Sequence, residues 1–94
     1  MRIRWTPQAT DHLQSAHEYL AAESERAADK LIDRILSAIE VLAQHPQLGR
    51  PGRVEGTREL VVTRTPFIVA YRLHANQVQI LAVLHAARRW PERL

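Results

Sequence analysis

Ninety-four residues suffice for one small domain, because splitting the chain would leave two pieces too short to bury a core. The apolar fraction of 46% is that of a folded globular protein, and the absence of cysteine excludes disulfide scaffolds, thiolate metal sites and cysteine nucleophiles. Charge is lopsided: the net is +3, twelve of the thirteen basic residues are arginine, and residues 1–49 carry −2 against +5 for residues 50–94. An arginine-rich half of this kind suits an acidic partner, either nucleic acid or protein. No apolar run nears the roughly 18 residues of a membrane span, and Met1–Arg4 carry no apolar signal segment. The expectation is a soluble, cytoplasmic, single-domain protein spanning residues 1–94, with no membrane partner.

Along the chain, Arg2 and Arg4 alternate with Ile3 and Trp5, which predicts a short strand with one wet face. Thr6-Pro7 reads as a helix start, with Thr6 at the N-cap and Pro7 at the first helical position. Ala9, Leu13, Ala16 and Leu20 then fall on one helical stripe. Ser24 caps a second helix with Glu25 near its positive end. Its wide apolar face holds Ala28, Leu31, Ile32, Ile35, Leu36, Ile39 and Leu42, and Arg26, Asp29, Lys30, Asp33 and Arg34 lie opposite. His45-Pro46 ends it. A connection of about three residues forces the two helices into an antiparallel hairpin.

Residues 45–57 hold all three glycines and two of the five prolines and read as an ordered loop. Three strands follow, at Glu59–Thr63, Phe67–His74 and Gln77–His85. Ala75-Asn76 leaves room only for a tight hairpin between the last two. The order β-α-α-β-β-β predicts an α+β fold, with the helical hairpin on one face of a mostly antiparallel four-stranded sheet.

Alternation sorts the strand faces. Phe67, Val69, Tyr71 and Leu73, with Val78, Ile80, Ala82 and Leu84, are assigned to the helix side. Ile68, Ala70, Arg72, Leu81, Val83 and His85 then fall on the opposite side, where two helices leave nothing to cover them. The expectation is a bare apolar strip of Ile68, Ala70, Leu81 and Val83 that marks a partner site. Tyr71 is expected in the core with its hydroxyl at a sheet edge, and Trp90 as a lid on the strand end or a target contact.

The histidines do not space like metal ligands: His12 and His17 are five apart and point to different sides of a helix. Gly49, Gly52 and Gly56 match no phosphate loop, and no serine sits in a nucleophile turn. Neither a metal nor a cofactor is expected. The remaining chemistry lies at the end of the last strand, where His85, Arg88, Arg89 and Trp90 bring a proton carrier, two cations and an aromatic plane together. Phosphodiester chemistry and nucleic-acid docking both draw on such groups.

The run GRPGRVEGTRELVV (49–62), TPFIVAYRL (65–73) and VQILAVLHAARRWP (78–91) resembles toxins of the RelE/ParE superfamily, the toxin halves of bacterial type II toxin–antitoxin modules. The resemblance implies a hetero-oligomer with a cognate RelB- or ParD-like antitoxin, whose C-terminal part folds onto the toxin. Antitoxin contacts are expected at Ile68, Ala70, Arg72, Leu81, Val83 and His85 and at the exposed groove beside the helices, and target contacts at Arg88, Arg89 and Trp90. RelE-like members cleave messenger RNA on the ribosome with basic residues that, laid on this chain, fall at Glu59, Val61 and Ile68; Arg88 is retained, and a C-terminal tyrosine position falls at Leu94. An acid and two hydrophobes cannot stabilise a pentavalent phosphate. The resemblance therefore implies the ParE-like branch, an inhibitor of DNA gyrase without catalysis of its own. The alternative is a ribosome-dependent mRNA endonuclease using His85 and Arg88.

Overall fold

The computed structural model describes residues 1–94. It begins with strand β1 (Arg2–Trp5), passes through helices α1 (Pro7–Ala21) and α2 (Glu25–Val41), and ends in strands β2 (Arg50–Pro51), β3 (Arg58–Val61), β4 (Phe67–His74) and β5 (Gln77–His85). The strands form one sheet in the order β1-β5-β4-β3-β2, parallel between β1 and β5 and antiparallel elsewhere. The α+β class and the element order agree with the sequence reading. The strand count is five rather than four, because Arg50 and Pro51, read as loop, pair with Glu59 and Arg58. No helix is long and apolar enough to cross a membrane.

Local chemistry sets the helix starts. Thr6 is extended, its Oγ1 accepts from the Ala9 N–H at 3.2 Å, and Pro7 follows at the first helical position. The same Thr6 hydroxyl donates to the Ile80 carbonyl at 2.8 Å, and the Thr6 N–H reaches that carbonyl at 3.1 Å. One residue thus satisfies a helix end and pins it to β5. Ser24 caps α2 through the Ala27 N–H at 3.1 Å. That helix ends at Val41, four residues before His45, and a tight turn carries the chain onward.

Ala9 of α1, Leu31, Ile35 and Ile39 of α2, and Val69, Tyr71, Val78, Ile80 and Val83 of the sheet pack into one core. Each large aliphatic side chain buried there contributes about 1.5–3 kcal/mol. The hairpin between β4 and β5 turns on Ala75 (φ 50°) and Asn76 (φ 59°). Two successive left-handed residues match the twist of the flanking strands.

A β-bulge corrects the face assignment. Ala70 pairs with Ala82 and Tyr71 with Ile80, so Leu81 is an extra residue in β5. Beyond it the alternation reverses: Val83 stands opposite Val69 and His85 opposite Phe67, on the helix side, while Ala82 and Leu84 move to the far side. A strict two-residue period breaks wherever one strand carries an inserted residue.

The expected bare strip is also overturned. Ile68, Ala70, Leu81 and Val83 are only 0–6% exposed. On the far side of the sheet, Glu59 beside Ala70 binds Arg53 through the Arg53 N–H at 2.7 Å and Nε at 3.1 Å. The Arg53 guanidinium lies 3.6 Å from the centre of the Trp90 ring. The loop before β3 and the segment after β5 therefore meet over this face, as a cation–π stack anchored on a buried carboxylate. Burial alone would raise the Glu59 pKa, but the hydrogen bonds from Arg53 and Arg50 and the charge of Arg53 outweigh it and hold the group below its ordinary value.

Candidate partner-binding groove

The open concavity lies on the helix side, where the hairpin diverges from the start of β4 and the end of β5. It is a groove of about 760 Å³. Leu20, Leu31, Phe67 and Val83 line it, and Lys30, Arg34, Arg64, Arg88 and Arg89 bring five cationic side chains to the same space. No acidic residue lines it. An apolar cleft bounded by uncompensated positive charge attracts an amphipathic, acidic occupant.

Each element supplies its part for a local reason. Lys30 and Arg34 are one turn apart on α2, so they share a stripe. Arg34 Nη1 donates to the Arg64 carbonyl at 3.4 Å, tying the helix to the turn between β3 and β4. Tyr19 of α1 is 74% exposed, and the Arg88 guanidinium stands 5.8 Å from its ring centre. That pair forms the outer wall on the other side.

His12 holds the inner end. Thr6 ends the pairing of β5 with β1, which leaves the Val83 N–H without a strand partner; it donates to His12 Nδ1 at 3.2 Å. Burial pushes the His12 pKa below 6.5, and nearby Asp11 offsets this in part. His85 packs edge-on against Phe67, with ring centres 5.5 Å apart. Its Nδ1 accepts from the Ala87 N–H at 3.1 Å, so the neutral ring carries its proton on Nε2.

Of the residues expected to form sites, His85, Arg88, Arg89 and Val83 come together in this groove. Trp90 does not: it turns to the opposite side of the sheet against Arg53. Ile68, Ala70 and Leu81 are internal, and Arg72 is exposed beside Gln79. Lys30, Arg34, Arg64 and Tyr19 were missed. The signal for two of them is present in the chain, since Arg26, Lys30 and Arg34 recur every four residues as a basic helical stripe. Arg64 and Tyr19 join the groove only through the fold.

The comparisons agree with this architecture. Residues 3–90 match the family model described as the ParE toxin of the type II toxin–antitoxin system parDE. The toxin-named protein Y4kP of Sinorhizobium fredii is 42% identical over 93 residues, covering 99% of this chain and 96% of its own length. Toxin RelE2 of Caulobacter vibrioides is 32% identical over 87 residues, covering 93% and 97%. A solved chain from the chromosomal ParDE system of P. aeruginosa superposes with a TM-score of 0.81 at 27% identity, over 90% of this chain and 95% of that one. With a family match running from the first strand to Trp90, the chain belongs to the ParE toxins of type II toxin–antitoxin systems, within the RelE/ParE superfamily.

Proposed function

We propose that this chain poisons DNA gyrase and is held inactive by a cognate antitoxin, an acidic amphipathic segment of which fills the groove between the helical hairpin and the end of β5. The observation that carries the groove reading is its composition: five cationic side chains around an apolar floor, with no carboxylate among them. None of these five side chains is in a salt bridge within the fold, so an occupant with apolar residues on one side and acids on the other gains from both. The preference for gyrase rests on the positions where RelE-like cleavage uses cations. Glu59 is buried and already bound to Arg50 and Arg53, and Ile68 is buried as well. Neither supports an anionic phosphorane.

One observation favours a second reading, a ribosome-dependent endonuclease. His85 shares the groove with Arg88, which sets an imidazole able to carry a proton beside a cation, the pairing that phosphodiester cleavage draws on. Two assays separate the readings. The gyrase reading expects loss of ATP-dependent supercoiling and accumulation of cleaved DNA when toxin is added, with translating ribosomes unaffected. Cleavage of ribosome-bound mRNA that His85→Ala abolishes, with supercoiling intact, would overturn it.

A further inference from the structure

Arg64 occupies a backbone conformation that suits glycine. The Thr65 N–H donates to the Val62 carbonyl at 3.2 Å, closing a four-residue turn in which Arg64 is third, with φ 63°. For a residue with a Cβ, left-handed geometry costs about 1–2 kcal/mol, and glycine is the default at this turn position. The turn cannot relax around it. Thr65 Oγ1 donates to the Val62 carbonyl at 2.9 Å and accepts from the Phe67 N–H at 3.1 Å, and the Val62 N–H returns to the Phe67 carbonyl at 3.1 Å.

Nothing inside the fold compensates for that conformation. The Arg64 carbonyl is held by Arg34, which any residue's carbonyl would satisfy. Its side chain lines the groove with Lys30, Arg34, Arg88 and Arg89, so it adds like charge to a lining that holds no acid. The side chain therefore opposes stability through both backbone and electrostatics. Strain and repulsion that persist at a binding surface point to a role in binding.

We propose that Arg64 is a specificity-determining residue of the groove, presenting its guanidinium from a strained turn to a carboxylate on the antitoxin segment. This rests on the reading of the groove as the antitoxin site. The rigid turn fixes the root of the side chain, and the planar guanidinium matches a carboxylate with two parallel hydrogen bonds. Cognate and non-cognate antitoxins would be separated by whether an acid stands opposite this turn.

The test measures thermal midpoint and affinity for the full-length cognate antitoxin in Arg64→Gly, Arg64→Ala and Lys30→Glu toxins, at low and high salt. Arg64→Gly is expected to melt higher by about 4 °C and to bind about tenfold more weakly, with a smaller salt dependence. Arg64→Ala keeps the left-handed strain, so it should show the same loss of affinity with less gain in midpoint. If Lys30→Glu weakens binding while Arg64→Gly binds as tightly as the original chain, the role of Arg64 is overturned and the groove reading stands. If Lys30→Glu leaves affinity unchanged, the groove reading fails and the role of Arg64 falls with it.

Discussion

His12 Nδ1 accepts the Val83 N–H at 3.2 Å and so completes a strand edge that no neighbouring strand reaches. Only the neutral ring can do this, because protonation converts Nδ1 into a donor facing a donor. Burial lowers the His12 pKa from 6.5, so below 6.5 the unfolded chain binds a proton that the folded chain resists. Stability from this contact is complete above 6.5 and is lost as pH falls from there through the depressed folded value. Denaturant titrations from about pH 5 to about pH 8 should show that decline. His12→Leu should lose about 1–2 kcal/mol at the upper end, where the amide is left unpaired, and should flatten the profile. His12→Asn, whose side-chain oxygen can accept the same amide, should recover part of the loss without the pH dependence.

Ala75 is the mismatch in an otherwise well-formed hairpin. It sits at φ 50°, beside Asn76 at φ 59°, where asparagine is tolerated and alanine is strained. Ala75→Gly should raise stability by about 0.5–1 kcal/mol, after the added chain entropy of glycine is discounted. Urea unfolding with an unchanged slope would assign the gain to the turn rather than to a more compact unfolded state.

How far the fold could be read in the chain follows from the range of the signals. Thr6-Pro7, Ser24-Glu25 and the apolar stripes of the helices are local, and both caps lie where the residues indicate. The strand ends of β4 and β5 were also legible, because the hairpin leaves only two residues between them. Leu81 was not: a bulge is a property of two paired strands, and it inverted Val83 and His85 relative to simple alternation. The far-side cover beside Ala70 was invisible for a related reason, since Arg53 and Trp90 are 37 positions apart and stack on each other where the buried Glu59 holds Arg53. For the groove, His85, Arg88 and Arg89 were accessible as a short cluster, whereas Arg64 and Tyr19 reach it through the tertiary fold.

Glu59 should act as the anchor of the far-side cover. Its carboxylate is 3% exposed and takes hydrogen bonds from Arg50 Nη2 at 3.2 Å and from Arg53 Nε at 3.1 Å, while the arginines remain half exposed. Its pKa lies below 4.5, so its contribution is present above 4.5 and is lost as pH falls through the folded value. Glu59→Gln at neutral pH should lose about 1.5–3 kcal/mol, the range for hydrogen bonds to a charged group. In a Trp5→Phe background Trp90 is the sole tryptophan, and its fluorescence should shift to the red and become accessible to quencher. An unchanged emission would separate the Trp90 stack from the carboxylate.

Gly49 and Tyr71 join the loop to the core, and this contact has no spare room. The Tyr71 hydroxyl accepts from the Gly49 N–H at 2.8 Å and donates to the Pro46 carbonyl at 2.8 Å. A Cβ on residue 49 would stand 2.6 Å from that hydroxyl oxygen and 2.7 Å from Cε1 of a ring with no exposed surface. Gly49→Ala should therefore destabilise by about 1–3 kcal/mol, the range for overpacking. Tyr71→Phe should lose about 1–2 kcal/mol by leaving an amide and a carbonyl unpaired. The double variant should lose less than the sum, because removing the hydroxyl relieves half of the clash and the hydrogen bonds are already gone. Burial raises the Tyr71 pKa above 10, against smaller opposing effects of the Gly49 amide and Arg58. Its contribution is accordingly full below 10 and is lost as pH rises through the folded value. A Tyr71→Phe toxin should unfold with less alkaline dependence than the original chain, and equal slopes in the two proteins would place that titration elsewhere.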